Sequence, residues 1–234
     1  GIDNKKYTIE QEKVLVHENV KPVYALFVSL SLFGLAALLG LYLASLTSYT
    51  LILVGSLCML VGFFYTAGPL PISRTPFGEL FAGAFLGSIL FLITLYTQDV
   101  VLDVETVLVS FPFLLLIAMI LSVNNACDRI GDQASGRRTL AILLGQRGAY
   151  VFVAVEASSA YALSFLLVIL GYYPTIMAIF TIFAALEFEK SYKKVGKVGM
   201  SEEYKSKHMG FAAKTYLLYC LAFILSFLID ALMH

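Results

Sequence analysis

The stretch TVLVSFPFLLLIAMILSVNNACDRIGDQASGRRTLA, residues 106–141, decides how the rest of the chain is read. Residues 106–125 carry no charge, and as a helix rising 1.5 Å per residue they are long enough to cross the hydrocarbon of a bilayer. The run then turns polar: Asn124-Asn125-Ala126-Cys127-Asp128-Arg129-Ile130-Gly131-Asp132, followed by Gly136-Arg137-Arg138-Thr139-Leu140-Ala141. Asn124, Asp128 and Asp132 are four apart. On a helix that spacing stacks side chains on one face, each about 6 Å further along the axis. An amide and two carboxylates therefore form a column at the mouth of a membrane helix.

Outward from this stretch, six more apolar segments occupy residues 24–43, 50–65, 79–97, 149–170, 174–186 and 211–228. With 59% hydrophobic residues, 14% charged residues and a mean hydropathy of +0.85, the chain of 234 residues is too apolar for a soluble domain. The expected fold is all-α, a multi-span transmembrane bundle of about seven helices forming a single domain over 1–234. Residues 1–22 read as a charged surface segment ahead of the first span, and 68–76 as a breaker-rich loop. Residues 128–147 read as the polar loop with the motif, and 187–207 as a basic loop. Gly83 and Gly87, a turn apart, mark a close helix approach. Pro112 reads as a kink or entry point of the fourth span. The three cysteines, Cys58, Cys127 and Cys220, read as small hydrophobic residues.

Net charge is zero, so the distribution of charge carries the information. All 16 Lys and Arg fall in the segments 1–22, 67–78, 127–148 and 187–214. The alternate connections hold none and carry Asp99, Asp103, Glu105 and Asp230. Basic residues accumulate on the cytoplasmic side, so the N-terminus and the motif face the cytoplasm and the C-terminus lies outside. The expected location is the bacterial plasma membrane, with the lipid bilayer as partner and no nucleic acid.

Charged aspartates beside hydrocarbon need a cation. Asp128 and Asp132 offer hard oxygen ligands with no His or Cys in register, which favours Mg²⁺ over zinc or copper. Mg²⁺ is commonly shared between one or two carboxylates and substrate phosphates. Arg137 and Arg138 follow at once, and the planar guanidinium suits phosphate. Thr139 is placed to cap a short helix over 140–144, whose N-terminus would also face an anion. The plainer reading is a helix end whose two aspartates pair with Arg129 and the neighbouring arginines.

The string Asn-Asn-x-x-Asp-x-x-x-Asp, then Gly-Arg-x-Thr-Leu-Ala and Leu144-Gly145, resembles the second aspartate-rich motif of the UbiA superfamily of intramembrane prenyltransferases. The doubled asparagine and the spacing to Thr139 are most similar to the 1,4-dihydroxy-2-naphthoate polyprenyltransferases of menaquinone synthesis. Tyr65-Thr66-x-Gly68-Pro69 with Gly78-Glu79-Leu80 is similar to a loop of that group. Gly1-Ile2-Asp3 resembles the end of the family's first motif. The family has nine helices and two facing acidic motifs, so the resemblance implies that this chain is the C-terminal seven helices, truncated at its N-terminus. It also implies a mechanism: Mg²⁺ held by Asp128, Asp132 and Asp3 grips a polyprenyl diphosphate, and an electron-rich ring, dihydroxynaphthoate, attacks the allylic carbon to give demethylmenaquinone.

On these readings Asp128 and Asp132 are the catalytic candidates, and Asn124, Asn125, Arg137 and Tyr65 the substrate-binding ones. Asn125 reads equally as a helix cap, and Tyr65 equally as an interfacial anchor. Arg74 and Arg138 read as topology markers, His208 as a solvated surface residue, and the lysines at 190–207 as lipid-headgroup contacts. Glu156 stands two turns inside the fifth span and is left outside the site. Two alternatives remain open: a cation-binding transporter or non-catalytic membrane subunit, and an inactive fragment.

Overall fold

A computed structural model describes residues 21–233. The chain divides into two compact units, Gly1–Ser73 and Arg74–His234. The N-terminal unit contains α1 (Pro22–Leu46) and α2 (Thr50–Thr66), which pack against each other. Pro22 opens α1 at its first position, where a missing amide costs no intrahelical bond. No charge interrupts either helix, and only Ala44 and Leu51 are buried within them. A helix that is apolar all round suits lipid.

The C-terminal unit has five helices: α3 (Gly78–Tyr96), α4 (Val104–Ala134), α5 (Leu140–Ile169), α6 (Met177–Val198) and α7 (Lys205–Met233). Among the described residues the chain is all-helical, with seven helices and no strand. α1, α3, α4, α5 and the segment Glu202–Met233 are long and apolar enough to cross a membrane. The expectation of about seven helices holds, but five of them, not seven, are long and apolar enough to span. α2 has 17 residues, about 25 Å. α6 is apolar only in its first half, because the helix continues through Glu187–Lys197 instead of ending at residue 186. The residues expected to form a basic loop there are largely helical. The outward faces of the helices are paved with Leu, Ile, Val and Phe, for example Leu217, Leu221 and Ile224 on α7. Such continuous apolar surface belongs in lipid, and the chain is an integral membrane protein.

α4 is the axis of this unit and packs against α3, α5 and α7. It starts at a capping box: the Thr106 amide donates to the Asp103 carboxylate at 2.9 Å and the Thr106 hydroxyl accepts from the Asp103 amide at 2.9 Å. The Thr106 amide holds that carboxyl below the usual carboxylate range. Pro112 lies eight residues inside the helix, buried, and does not mark its entry. The core is built from Leu116, Met119 and Val123 of α4, Val153, Ala157 and Ala160 of α5, and Tyr219 of α7. At the opposite end from the motif, Tyr173 donates to the Val109 carbonyl at 2.9 Å within an aromatic group of Phe113, Phe223 and Phe227.

α3 contains a π-helical turn at Gly83–Ile89 that lays its glycines on α4. A Cβ added to Gly87 would stand 2.6 Å from Leu114 Cα, and one on Gly83 would stand 2.5 Å from the Leu114 carbonyl oxygen. Only a bare backbone fits there, as the spacing of the two glycines suggests.

Candidate active site

The acidic motif is helical throughout. α4 runs without interruption to Ala134, so Asp128 and Asp132 stand on the last two turns of the axial helix and not in a loop. The helix stops at Ser135-Gly136. Gly136 adopts φ +73°, the left-handed conformation that glycine enters without penalty. Its amide donates to the Gln133 carbonyl at 3.1 Å, and the Arg137 amide donates to the Asp132 carbonyl at 3.0 Å. This reversal folds residue 137 back onto the helix it has just left. The guanidinium of Arg137 then meets Asp132, Nη1 to Oδ1, at 3.1 Å.

Asp128 is met from the other side. Lys205, the first residue of α7, sets its Nζ 2.8 Å from Asp128 Oδ2. Lys205 is buried, 7% exposed. Asp132 interacts electrostatically with Asp128 and with both cations. Charge pairs removed from water hold only when geometry and partners are good. Here one cation comes from the residues just after the helix, and the other from 77 positions away in sequence. Asp132 Oδ2 is buried without a hydrogen-bond partner.

The remaining sequence candidates divide. Asn124 lies half-buried on the face below Asp128, its amide group 3.5 Å from the Asn125 side-chain oxygen. Asn125 caps nothing: it is buried mid-helix and donates to Glu79 Oε1 of α3 at 2.9 Å. Tyr65 sits half-buried in the last turn of α2, in the N-terminal unit. Asp3 lies outside the described residues. Thr139 stands at the N-cap position of α5 but forms no capping bond, and its hydroxyl is buried without a partner. The helix expected over 140–144 is a single turn, broken at Gly145 (φ 68°, ψ 179°) before α5 continues. His208 is buried, its Nε2 2.9 Å from the Gly199 carbonyl, and is no surface residue. The Arg138 amide donates to the Arg74 carbonyl at 2.8 Å, tying the two short connections together.

Lys205 is the member of this charge cluster that sequence reasoning passed over. It belonged to a run of lysines explained by topology, and only the docking of α7 singles it out. Among the described residues no third His, Cys, Asp or Glu joins the two aspartates as a metal-holding group. The donor set nevertheless suits a divalent cation. Two hard carboxylates stand a turn apart, one with a free oxygen turned inward, and Mg²⁺ accepts one or two carboxylates with the balance of its shell from water and phosphate.

Fold and site together define an intramembrane helical bundle with an acidic helix end set among cations at one membrane face. The chain belongs to the UbiA prenyltransferase family, whose model matches residues 2–213. It is similar to the 1,4-dihydroxy-2-naphthoate octaprenyltransferase of Bacillus subtilis, 40% identical over 157 residues, which is 67% of this chain and 50% of that protein. The protein of the same description from Mycobacterium tuberculosis is 34% identical over 124 residues, 53% of this chain and 42% of that one. The chain spans about half the length of the curated relatives it matches. A solved structure bearing on digeranylgeranylglyceryl phosphate synthase in membranes superposes with a TM-score of 0.60 at 21% identity, over 96% of this chain and 77% of that one. At that identity the likeness speaks for the fold.

Proposed function

We propose that the chain acts as a single transmembrane prenyltransferase domain that transfers a polyprenyl group from a polyprenyl diphosphate to an aromatic acceptor, 1,4-dihydroxy-2-naphthoate. The observation that carries this reading is the charge arrangement at the end of α4. Asp128 and Asp132 each hold one cation brought from a separate segment, and one aspartate oxygen is left unpartnered. Family membership and the names of the relatives support the reaction class. Divalent metal use is general in the family, and Mg²⁺ fits the hard oxygen donors.

Asp128 and Asp132 would hold the metal, and a metal bound there would offset negative charge growing on the departing diphosphate. Arg137 and Lys205 serve the same anion directly. Their ammonium and guanidinium groups are held by the carboxylates without substrate, and a diphosphate offers each a stronger charge-assisted acceptor. Asn124, one turn below, is placed to donate to a non-bridging oxygen. The apolar bundle accommodates the prenyl tail. The Lys and Arg of residues 67–78, 127–148 and 187–214 support an orientation with this face in the cytoplasm and the C-terminus outside, in a bacterial plasma membrane.

The test is an assay of the protein in liposomes with polyprenyl diphosphate and dihydroxynaphthoate. Prenylated product should form with Mg²⁺, stop on chelation and return on re-addition. Product formation unaffected by chelation would contradict the metal reading, and no diphosphate consumption under any condition would contradict the transferase reading.

A further inference from the structure

Lys205 reaches Asp128 from the first residue of α7, where the chain has only just entered the helix. Helix ends fray, yet this lysine is buried and held 2.8 Å from Asp128 Oδ2. What fixes its backbone begins in the helix before it. α6 ends at Gly199, whose φ of +78° turns the chain out of the helix while its amide donates to the Val195 carbonyl at 2.9 Å. The last turns of α6 are themselves clasped to α5. The rings of Tyr150 and Tyr192 stack with centroids 4.2 Å apart. The Tyr192 hydroxyl donates to the Tyr150 carbonyl at 2.8 Å, and the Tyr150 hydroxyl donates to the Tyr192 carbonyl at 3.3 Å. A Cβ on Gly196 would collide with the Tyr150 hydroxyl, so glycine there admits the clasp.

His208 closes this arrangement. It stands three residues after Lys205, so the two side chains share a face of α7. His208 is 3% exposed, and its Nε2 lies 2.9 Å from the Gly199 carbonyl oxygen. A carbonyl can only accept, so Nε2 carries the hydrogen and His208 donates. The bond joins the first turn of α7 to the end of α6 across the connection 199–204. A continuous path therefore runs from α5, through the tyrosine clasp, the end of α6 and His208, to the turn that bears Lys205. We propose that His208 is a positioning residue for the diphosphate site: its bond to the Gly199 carbonyl fixes the first turn of α7, so that Lys205 is set on Asp128 before substrate arrives. This rests on the transferase reading above, in which Lys205 serves the diphosphate, and names what holds that cation in place. A cation already ordered binds an anion more tightly, because little further ordering is needed on binding.

The test is a double-mutant cycle on the binding of farnesyl diphosphate with Mg²⁺, measured by calorimetry on the purified protein in detergent. His208→Leu removes the donor and keeps an apolar side chain in the buried position. It should weaken binding roughly fivefold, the worth of one hydrogen bond. Because the effect passes through Lys205, the same substitution made on Lys205→Met should add less than about twofold. Losses that simply add, or binding unchanged by His208→Leu, would overturn the assignment. Binding unaffected by Lys205→Met would overturn it too, by removing the residue through which His208 acts. His208→Gln carries an amide nitrogen near the place of Nε2 and should restore binding, whereas His208→Asn, one methylene shorter, should not. Where His208→Leu does not assemble, this polar pair decides, and equal binding by the two refutes the proposal. A wild-type protein that binds no farnesyl diphosphate refutes the transferase reading, and the role of His208 falls with it. A wild-type protein that binds, with an additive cycle, refutes the role of His208 alone.

Discussion

Gly136 shows how one residue can set the geometry of a site through the backbone alone. Its positive φ lets the chain reverse directly after α4, and the reversal delivers Arg137 to Asp132. A Cβ at Gly136 meets no neighbouring atom, so Gly136→Ala has only the left-handed backbone to contend with. That strain is worth about 1–2 kcal/mol. The expected outcome is a lower thermal midpoint, followed by circular dichroism in detergent, together with weaker donor binding as Arg137 is misplaced. Lys205 acts through charge. Lys205→Met keeps the packing of the stem and leaves Asp128 without its cation. The apparent KM for the diphosphate donor should rise roughly tenfold or more, the worth of a charge-assisted hydrogen bond, with Lys205→Arg recovering part of the loss. An unchanged KM would remove Lys205 from the site.

At the scale of the elements, the decisive contact is α3 on α4. The glycines of the π-helical turn let the two backbones meet at Leu114, and this contact sets Glu79 against Asn125 further along the same pair. Gly87→Ala forces a methyl group into the Leu114 backbone, and overpacking of this kind costs about 1–3 kcal/mol. Gly34→Ala on α1 meets nothing within 4 Å and serves as the control. Thermal aggregation of the detergent-purified variants should separate the two, with Gly87→Ala aggregating several degrees lower and Gly34→Ala unchanged. Equal behaviour would show that the close approach is not maintained in solution.

At the scale of the molecule, the helical class, the acidic column and the close glycine pair were legible in the sequence because each depends on local period: twenty apolar residues, a spacing of four, two small residues a turn apart. What was not legible depends on long-range docking. Nothing local marks Lys205 among its neighbouring lysines, or turns Asn125 toward Glu79 instead of toward the mouth. His208 and Glu156 were set aside because burial follows from helix packing, which composition does not report. The apolar run of α6 stops at residue 186 while the helix goes on to Val198, because backbone hydrogen bonding does not end where hydrophobicity does. The proposed orientation makes its own prediction. In intact cells a membrane-impermeant maleimide should label Asp99→Cys, on the outer connection, and spare Ser201→Cys, on the inner one, with the native cysteines replaced. The reverse pattern would invert the topology and place the acidic column on the wrong face for a cytoplasmic diphosphate.

The most direct measurement is prenyl transfer by the double variant Asp128→Asn, Asp132→Asn in liposomes at saturating Mg²⁺. The side chains keep their size and hydrogen-bonding reach but lose both charges. The account requires transfer to fall by a hundredfold or more, about 2.7 kcal/mol or more in barrier, with the helical content of the protein intact. Transfer at the wild-type rate would contradict it, because no charged column would then be needed to hold a diphosphate at the end of α4.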